Sequence, residues 1–269
     1  MNGRTVIENT RRFRDKIKTA GCCFGADISL NDPQITQILS CCGFDFFWID
    51  TEHAAMNIET LAMHVAVANS KGILSMVRVP WNDPVRIKPV LDLGANGIIV
   101  PNVKTAEEAS LAVRSCLYPP RGIRGYGPRQ SADWLSYRIP ASEYGRDADE
   151  GVFKVVQIES VEGVANVDEI LAIPELDSVT LGPIDLSASM GLLGQLDHPD
   201  VKEAMRTVME KTRRAGKILG YPAVFSDDLS PAKELIQKGV QWLSVGQDVS
   251  LLRGSSERSL TQLRTFLKA

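Results

Sequence analysis

One apolar run that ends abruptly in ionisable residues narrows the folds open to this chain: Phe46-Phe47-Trp48-Ile49-Asp50-Thr51-Glu52-His53. A short run of this kind is typical of a buried strand. Polar groups gathered at one end of several core strands are typical of the site in an α/β barrel. The sequence therefore predicts a barrel with chemistry at its mouth, meaning the carboxyl ends of its strands. The same pattern recurs at 74–78, 155–159 and 179–185.

The composition favours a globular enzyme that acts on small molecules. The 269 residues are 44% hydrophobic and 23% charged, enough for a large core in one barrel or two ordinary domains. With a net charge of -3, the chain has no excess of basic residues with which to bind the phosphates of nucleic acid. No apolar run approaches the ~20 residues of a membrane span, and the N-terminus lacks a signal-peptide pattern. We therefore expect a cytoplasmic protein that binds neither nucleic acid nor membrane.

The cysteines do not predict a disulfide framework or a zinc site. Five is an odd number, two pairs are adjacent in sequence, and no C-x-x-C spacing occurs. We expect all of them to be small apolar core residues. They are Cys22, Cys23, Cys41, Cys42 and Cys116.

Eight extended apolar segments alternate with helical patterns, and most end about 25 residues apart, the length of one βα unit. We predict a single α/β domain over 1–269, a (β/α)8 TIM barrel. Residues 5–20 carry five basic side chains and predict a solvated helix before the barrel. Residues 118–150 form a long loop after strand 4, of a length typical of lids or functional loops. The predicted strands are 22–26, 46–50, 74–78, 97–101, 153–159, 178–182, 218–223 and 242–246.

Two acidic residues on consecutive βα units could share a cation. Strand alternation places Glu159 on the same side as Gln157, at the mouth, and Asp185 just past the next strand. Two carboxylates of this kind can hold a hard divalent ion that keeps several waters. Alternatively, Glu159 caps the next helix and Asp185 caps the turn at 186–188.

His53 is the best candidate for a general base among the three histidines. It lies beside Glu52, with Asp50 three residues earlier to orient the ring. Alternatively, it is a histidine at a helix start whose neighbours only cap the helix. His64 lies in a helical pattern and His198 in a polar loop, so we expect structural roles for both.

Arg78 ends a predicted strand with its charge at the mouth. A guanidinium there could bind a carboxylate or stabilise an enolate oxygen. As a surface residue it would instead need only solvent.

The motifs of this chain, taken together and in order, resemble those of the HpcH/HpaI aldolase family, the class II pyruvate aldolases. The resemblance implies a phosphoenolpyruvate/pyruvate-type barrel and a homo-oligomer, a hexamer or trimer, often with exchanged C-terminal helices. It also implies a Mg²⁺, Mn²⁺ or Co²⁺ ion held by Glu159 and Asp185. The motifs include Asp50-Thr51-Glu52-His53, Val77-Arg78-Val79-Pro80, Leu91-Asp92-Leu93-Gly94-Ala95, Tyr118-Pro119-Pro120-Arg121-Gly122-Ile123-Arg124-Gly125, Gln157-Ile158-Glu159 and Gly182-Pro183-Ile184-Asp185.

The resemblance further assigns roles within the site. Pyruvate binds on the ion, Arg78 lies at its keto oxygen, and an aspartate matching Asp92 orients His53, the base. Asp50 and Glu52 are neighbouring carboxylates that support these groups. The remaining substrate-binding residues are Gln157, Gly182 and Pro183.

The implied reaction is cleavage of a 4-hydroxy-2-oxo acid to pyruvate and an aldehyde through a pyruvate enolate. Oxaloacetate decarboxylation through the same enolate is the alternative enzyme, and a non-catalytic barrel that only binds keto acids is a third possibility. Thr51 stands where relatives commonly have glycine, and 126–150 departs from the well-known bacterial forms. These differences leave the aldehyde open.

Overall fold

In a computed structural model that describes residues 5–128, 140–222 and 228–267, eight parallel strands close into a barrel. Each strand pairs with the next, and β8 returns to β1. The predicted (β/α)8 barrel is confirmed, and each predicted strand overlaps an observed one. The strands are β1 Cys23–Ile28, β2 Phe46–Asp50, β3 Leu74–Arg78, β4 Gly97–Val100, β5 Phe153–Ile158, β6 Ser178–Leu181, β7 Ile218–Tyr221 and β8 Trp242–Gln247.

Helices surround the strands, and within the described ranges none is both long and apolar enough to cross a membrane. Several begin at proline, which fits the first turn of a helix because it has no N–H to satisfy there. The helices are α1 Thr5–Ala20, α2 Pro33–Leu39, α3 Ile58–Ser70, α4 Pro84–Asp92, α5 Ala106–Cys116, α6 Ala141–Gly151, α7 Val161–Ala165, α8 Val167–Leu171, α9 Pro183–Ser189, α10 Pro199–Arg214, α11 Ser230–Gln237 and α12 Asp248–Phe266, with a 3-10 turn at Ser40–Cys42.

Aromatic side chains fill the barrel interior below the mouth. The rings of Phe46 and Trp242 meet edge to face, with centroids 5.5 Å apart. A Cβ at Gly220 would come within 1.9 Å of the Trp242 ring, so only glycine leaves room for the indole. This packed layer places the open space of the barrel at the carboxyl ends of the strands.

The prediction of a solvated α1 is wrong for one face of the helix. Phe13 and Ile17 are buried, and the Phe13 ring contacts the rings of Phe46 and Phe153 at 5.8 and 5.4 Å. The two apolar residues are four positions apart and lie on one side of the helix. Helix α1 therefore closes the amino end of the barrel.

The described parts of the segment 118–150, residues 118–128 and 140–150, do not form a lid over the mouth of their own barrel. The segment follows α5 and leads into β5, so its described parts lie toward the amino ends of the strands. Helix α6 accounts for its last third, and Gly151 packs against Ile7 of α1. Residues 129–139 lie outside the described residues.

The cysteine prediction holds for Cys22, Cys23 and Cys116, which are buried and free. It is wrong for Cys41 and Cys42, which are exposed in the 3-10 turn.

Helix α12 leaves the barrel with most of its length uncovered. The first residue of the helix, Asp248, is buried, and its carboxylate accepts hydrogen bonds from the backbone N–H groups of Ser29 and Leu30 at 2.8 Å. Beyond this anchor, large apolar side chains are exposed: Val249, Leu251, Leu252, Leu260, Leu263 and Phe266.

Candidate active site

The ends of β2 and β3 bring a guanidinium between two carboxylates. Arg78 donates from Nε and Nη2 to both oxygens of Asp50, at 3.0 and 2.8 Å. Its Nη1 lies 3.1 Å from Oε2 of Glu52. Strand register sets this pairing, because Asp50 and Arg78 are direct partners across β2 and β3. Asp50 and Glu52 therefore hold Arg78, whereas Asp50, predicted to orient the His53 ring, contacts His53 only through its backbone N–H among the described hydrogen bonds.

Arg78 is held as a cation. Burial alone would lower its pKa, but the hydrogen bonds and charge of Asp50 and the charge of Glu52 outweigh burial, so the pKa is raised. The guanidinium also lies over the Trp48 ring, 5.4 Å from its centroid. A fixed positive charge thus stands at the mouth.

Glu159 directly follows β5, and its carboxylate is buried. Oε1 accepts from the N–H of Asn102 at 2.7 Å, and Oε2 accepts from Nε2 of Gln157 at 2.6 Å. Burial raises the pKa of Glu159 to about 7; the Asn102 bond lowers it, and the charges of Asp185 and Glu52 raise it further. A carboxylate under this repulsion would be stabilised by a cation.

The backbone of Gly182 passes very close to Glu159. A Cβ built at Gly182 would lie 2.1 Å from Oε2 of Glu159 and 2.7 Å from Nε2 of Gln157. Any larger residue would displace the carboxylate. The role of Gly182 in the structure is therefore to make room for Glu159.

Asp185 lies in the first turn of α9 and is exposed to solvent. Helix α9 is capped at Gly182 without a side-chain hydrogen bond, and Ser160 caps α7 by accepting from the N–H of Gly163. The capping alternative is therefore wrong for both Asp185 and Glu159.

His53 lies at the rim of the mouth with 67% of its side chain exposed. Its Nε2 is 3.7 Å from Oε2 of Glu52, and its backbone N–H approaches Oδ1 of Asp50 at 3.4 Å. The other histidines have structural contacts, as expected. His64 is buried against the hydroxyl of Thr36, and His198 caps α10.

Asp92 does not meet His53 within one chain. It ends α4, which runs from the mouth back toward the amino ends of the strands, and it accepts from Nη2 of Arg124 at 2.9 Å. The Arg124 guanidinium lies over the Tyr118 ring, 4.6 Å from its centroid. The described residues of a single chain thus separate Asp92 from the rest of the predicted site.

A cavity of about 320 Å³ lies at the mouth, and of the predicted site residues Asp50, Arg78, Gln157, Gly182, Pro183 and Asp185 line it, whereas Glu52, His53, Asp92 and Glu159 do not. Asp27 and Gln247 were missed by sequence reasoning, although both lie one position beyond a predicted strand. That is the same signal, a polar residue at the end of an apolar run, that identified the other candidates. The lining residues are Asp27, Trp48, Asp50, Arg78, Gln157, Gly182, Pro183, Ile184, Asp185, Leu196, Tyr221, Pro222 and Gln247.

The donor set fits a hard divalent ion. Among residues 5–128, 140–222 and 228–267 no group of three or more His, Cys, Asp and Glu is arranged around one point, so a protein-only cage is not present there. Glu159 and Asp185 repel each other electrostatically, and Oε1 of Gln157 is buried with no partner among described atoms. Two carboxylates and an amide oxygen suit Mg²⁺ or Mn²⁺, which keep water or substrate in the remaining positions.

Comparisons of the sequence and of the structure with known proteins point to the same family. A family model described as HpcH/HpaI aldolase/citrate lyase matches residues 25–254. The 4-hydroxy-2-oxo-heptane-1,7-dioate aldolase of Klebsiella pneumoniae is 36% identical over 245 residues, 91% of either chain. An HpcH/HpaI aldolase structure from Desulfitobacterium hafniense superposes with a TM-score of 0.85 at 31% identity, covering 93% of this chain and 96% of that one. A structure of the citrate synthase SbnG superposes with a TM-score of 0.84 at 28% identity, covering 95% and 98%.

Proposed function

This chain belongs to the HpcH/HpaI aldolase/citrate lyase family and is an aldolase-type enzyme, and we propose that it cleaves a 4-hydroxy-2-oxo acid into pyruvate and an aldehyde with a divalent metal ion. One observation carries the proposal. Arg78, Gln157 and Asp185 line a single cavity at the mouth, and the carboxylate of Glu159 adjoins it through Gln157. A fixed cation and acidic oxygen ligands therefore face the same space.

Glu159 and Asp185 would hold the ion. Burial and, to a smaller extent, repulsion from Asp185 raise the pKa of Glu159, and a cation between the two carboxylates would relieve that repulsion. When bound, Mg²⁺, Mn²⁺ or Co²⁺ supplies positive charge to the carboxylate and keto oxygen of a 2-oxo acid. Gly182 and Pro183 form the adjoining wall, where a substrate of three carbons could lie against backbone.

Arg78 would stabilise the charge that develops in cleavage. Breaking the bond between C3 and C4 leaves the electron pair on the pyruvate fragment, and the former keto oxygen becomes negative. Because Asp50 and Glu52 already hold the guanidinium in place, little reorganisation is needed when that charge appears. A preorganised donor of this type is worth roughly 10²- to 10³-fold in rate.

His53 would move the proton. As the bond between C3 and C4 breaks, the imidazole accepts the proton of the C4 hydroxyl, and in the condensation direction it returns that proton to the aldehyde oxygen. Its exposed position beside Glu52 supports this role, because a solvent-facing imidazole is accessible to a second substrate. If Asp92 orients His53 as the resemblance implies, it must come from a neighbouring copy, because α4 carries it to the far end of its own barrel.

A homo-oligomer, a trimer or hexamer, also forms part of the proposal. Exposed apolar side chains continue along α12 from Leu252 to Phe266, and burying such a face against another copy removes apolar area from water.

Product analysis tests the proposed reaction against the second candidate, oxaloacetate decarboxylation. Both reactions generate the same enolate, so Arg78 and the two carboxylates would serve either. We expect pyruvate release from 4-hydroxy-2-oxo acids to exceed CO₂ release from oxaloacetate in kcat/KM. Decarboxylation without any aldol cleavage or condensation would favour the second candidate.

A further inference from the structure

The cavity at the mouth has a second wall that the pyruvate half of the reaction does not use. Since the eight strands follow one another around the barrel, β1 lies across from β5. The residues proposed to bind pyruvate lie at the ends of β5 and β6 and at Arg78, the last residue of β3. On the other side, Asp27 of β1, Tyr221 of β7 and Gln247 of β8 line the same space. A second substrate would therefore lie against these three side chains.

Asp27 is held in place on this wall. The hydroxyl of Ser244 on β8 donates to its Oδ1, and Asp27 is a register partner of Trp48 on β2 and of Gln247 on β8. Burial raises its pKa to about 7, yet the side chain lines the cavity and keeps some solvent exposure, so its carboxyl group can reach a ligand there. The carboxyl group thus presents a fixed polar contact to whatever occupies the far side.

The charges around this wall disfavour a second carboxylate. Of the described residues that line the cavity, Asp27, Asp50 and Asp185 are acidic and Arg78 is basic. Arg78 is already paired with Asp50 and Glu52. Above about pH 7, where Asp27 is ionised, a further anionic group beside it would find no unpaired cation among the described residues that line the cavity, and like charges brought together raise the free energy of binding.

Hydroxyl groups suit the same wall. A carboxylate accepts hydrogen bonds from a hydroxyl, the amide of Gln247 can donate or accept, and the Tyr221 hydroxyl can do both. A ligand that leaves such polar groups unpaired binds less well than one that satisfies them.

We propose that Asp27 is a specificity-determining residue that selects a neutral, hydroxylated aldehyde over an aldehyde that ends in a carboxylate. This inference rests on the proposed aldolase function and names the class of its second substrate. Cleavage between C3 and C4 of the heptanedioate in the Klebsiella relative's name would give a four-carbon aldehyde ending in a carboxylate. This chain would therefore prefer a substrate different from that one.

The wild-type enzyme supplies the first test. The full-length protein with Mg²⁺ and pyruvate is assayed for condensation with glyceraldehyde, with propanal and with succinic semialdehyde. We expect kcat/KM for glyceraldehyde to exceed that for succinic semialdehyde by about tenfold or more, the effect of one hydrogen bond gained or one charge repelled. A preference for succinic semialdehyde overturns the inference.

Two variants and a matched control assign the effect to Asp27. In Asp27→Ala the ratio of kcat/KM for glyceraldehyde to that for propanal should fall about tenfold, and in Asp27→Asn, which keeps a hydrogen-bonding group of the same size, by less. Asp168→Asn removes an acidic residue that pairs with Lys211 outside the barrel and should leave the ratio unchanged. An unchanged ratio in both Asp27 variants contradicts the assigned role, and Asp27→Asn guards against loss of folding in Asp27→Ala.

Exchange of the pyruvate methyl protons separates this inference from the proposed function. Enolate formation exchanges those protons with D₂O without any aldehyde, and proton NMR follows the exchange. Exchange together with a preference for succinic semialdehyde overturns only the role of Asp27. No exchange and no condensation with any aldehyde overturns both proposals.

Discussion

Replacing Glu159 with glutamine should stabilise the metal-free protein while abolishing its response to metal. The pKa of Glu159 is raised from 4.5 to about 7, first by burial. A raised pKa in the folded state means that its contribution to stability is present below about pH 4.5 and lost as pH rises through about 7. At pH 8 the ionised carboxylate therefore destabilises the fold, and a neutral amide does not.

The magnitude follows from the size of the shift. Each pKa unit corresponds to about 1.4 kcal/mol, so Glu159→Gln should raise the free energy of unfolding by about 3 kcal/mol at pH 8. For a chain of this length, that is a rise of about 5 °C in Tm. Little hydrogen bonding is lost, because Asn102 can still donate to the amide oxygen. Gln157 can turn its unpartnered Oε1 toward the new NH₂ group.

Thermal denaturation in EDTA and in MnCl₂ at pH 8 and pH 5 measures both effects. In EDTA the variant should be more stable than wild type at pH 8 and by much less at pH 5, whereas MnCl₂ should raise the Tm of wild type alone. Asp27→Asn is the matched control. Burial also raises the pKa of Asp27 to about 7, so this variant replaces a comparable carboxyl group. Because Asp27 is not a proposed ligand, the variant should keep the rise in Tm with MnCl₂. A Glu159→Gln protein that keeps the Mn²⁺-dependent rise would refute the reasoning.

Four further outcomes are expected. Arg78→Lys keeps the charge but loses the paired contacts with its carboxylates, and kcat should fall roughly 10²-fold in steady-state assays; an unchanged kcat contradicts the role of Arg78. His53→Ala should lower kcat about 10²- to 10⁴-fold with Tm unchanged, since the side chain is exposed, and full activity would exclude it as the base. Because Glu159 must lose its proton to bind an ion, calorimetry should show Mn²⁺ affinity falling about tenfold per unit below pH 7, and a flat profile would argue against this ligand. Leu263→Ser with Phe266→Ser should reduce the mass seen by light scattering, and an unaltered mass would mean that α12 does not assemble copies.

The barrel could be predicted from sequence because eight short apolar runs alternate with helical patterns, and several of these runs end in a polar group. Such runs determine the strand order once their spacing matches a βα unit. The covered face of α1 was not predicted, since Phe13 and Ile17 are outnumbered by basic residues in a helix that also has a solvated side. Cys41 and Cys42 show the opposite error, since they were predicted to be buried and are exposed. Their position beside an apolar segment does not indicate that they lie in a 3-10 turn on the surface.

The site could be predicted in part. Strand alternation correctly placed Gln157 and Glu159 on the same side. The contact between Asp50 and Arg78 was not predicted, because it depends on the register between β2 and β3. Asp27 was missed because the predicted first strand stopped one residue before it. The sequence also gives no sign that α4 carries Asp92 away from the mouth, which depends on the direction of a helix in three dimensions.

Metal removal tests the central claim most directly. The protein is treated with EDTA, dialysed, and assayed for pyruvate release from a 4-hydroxy-2-oxo acid before and after addition of Mg²⁺, Mn²⁺ or Co²⁺. The account predicts a loss of about a hundredfold or more on chelation and recovery with at least one of these ions. Full activity after thorough chelation would contradict it.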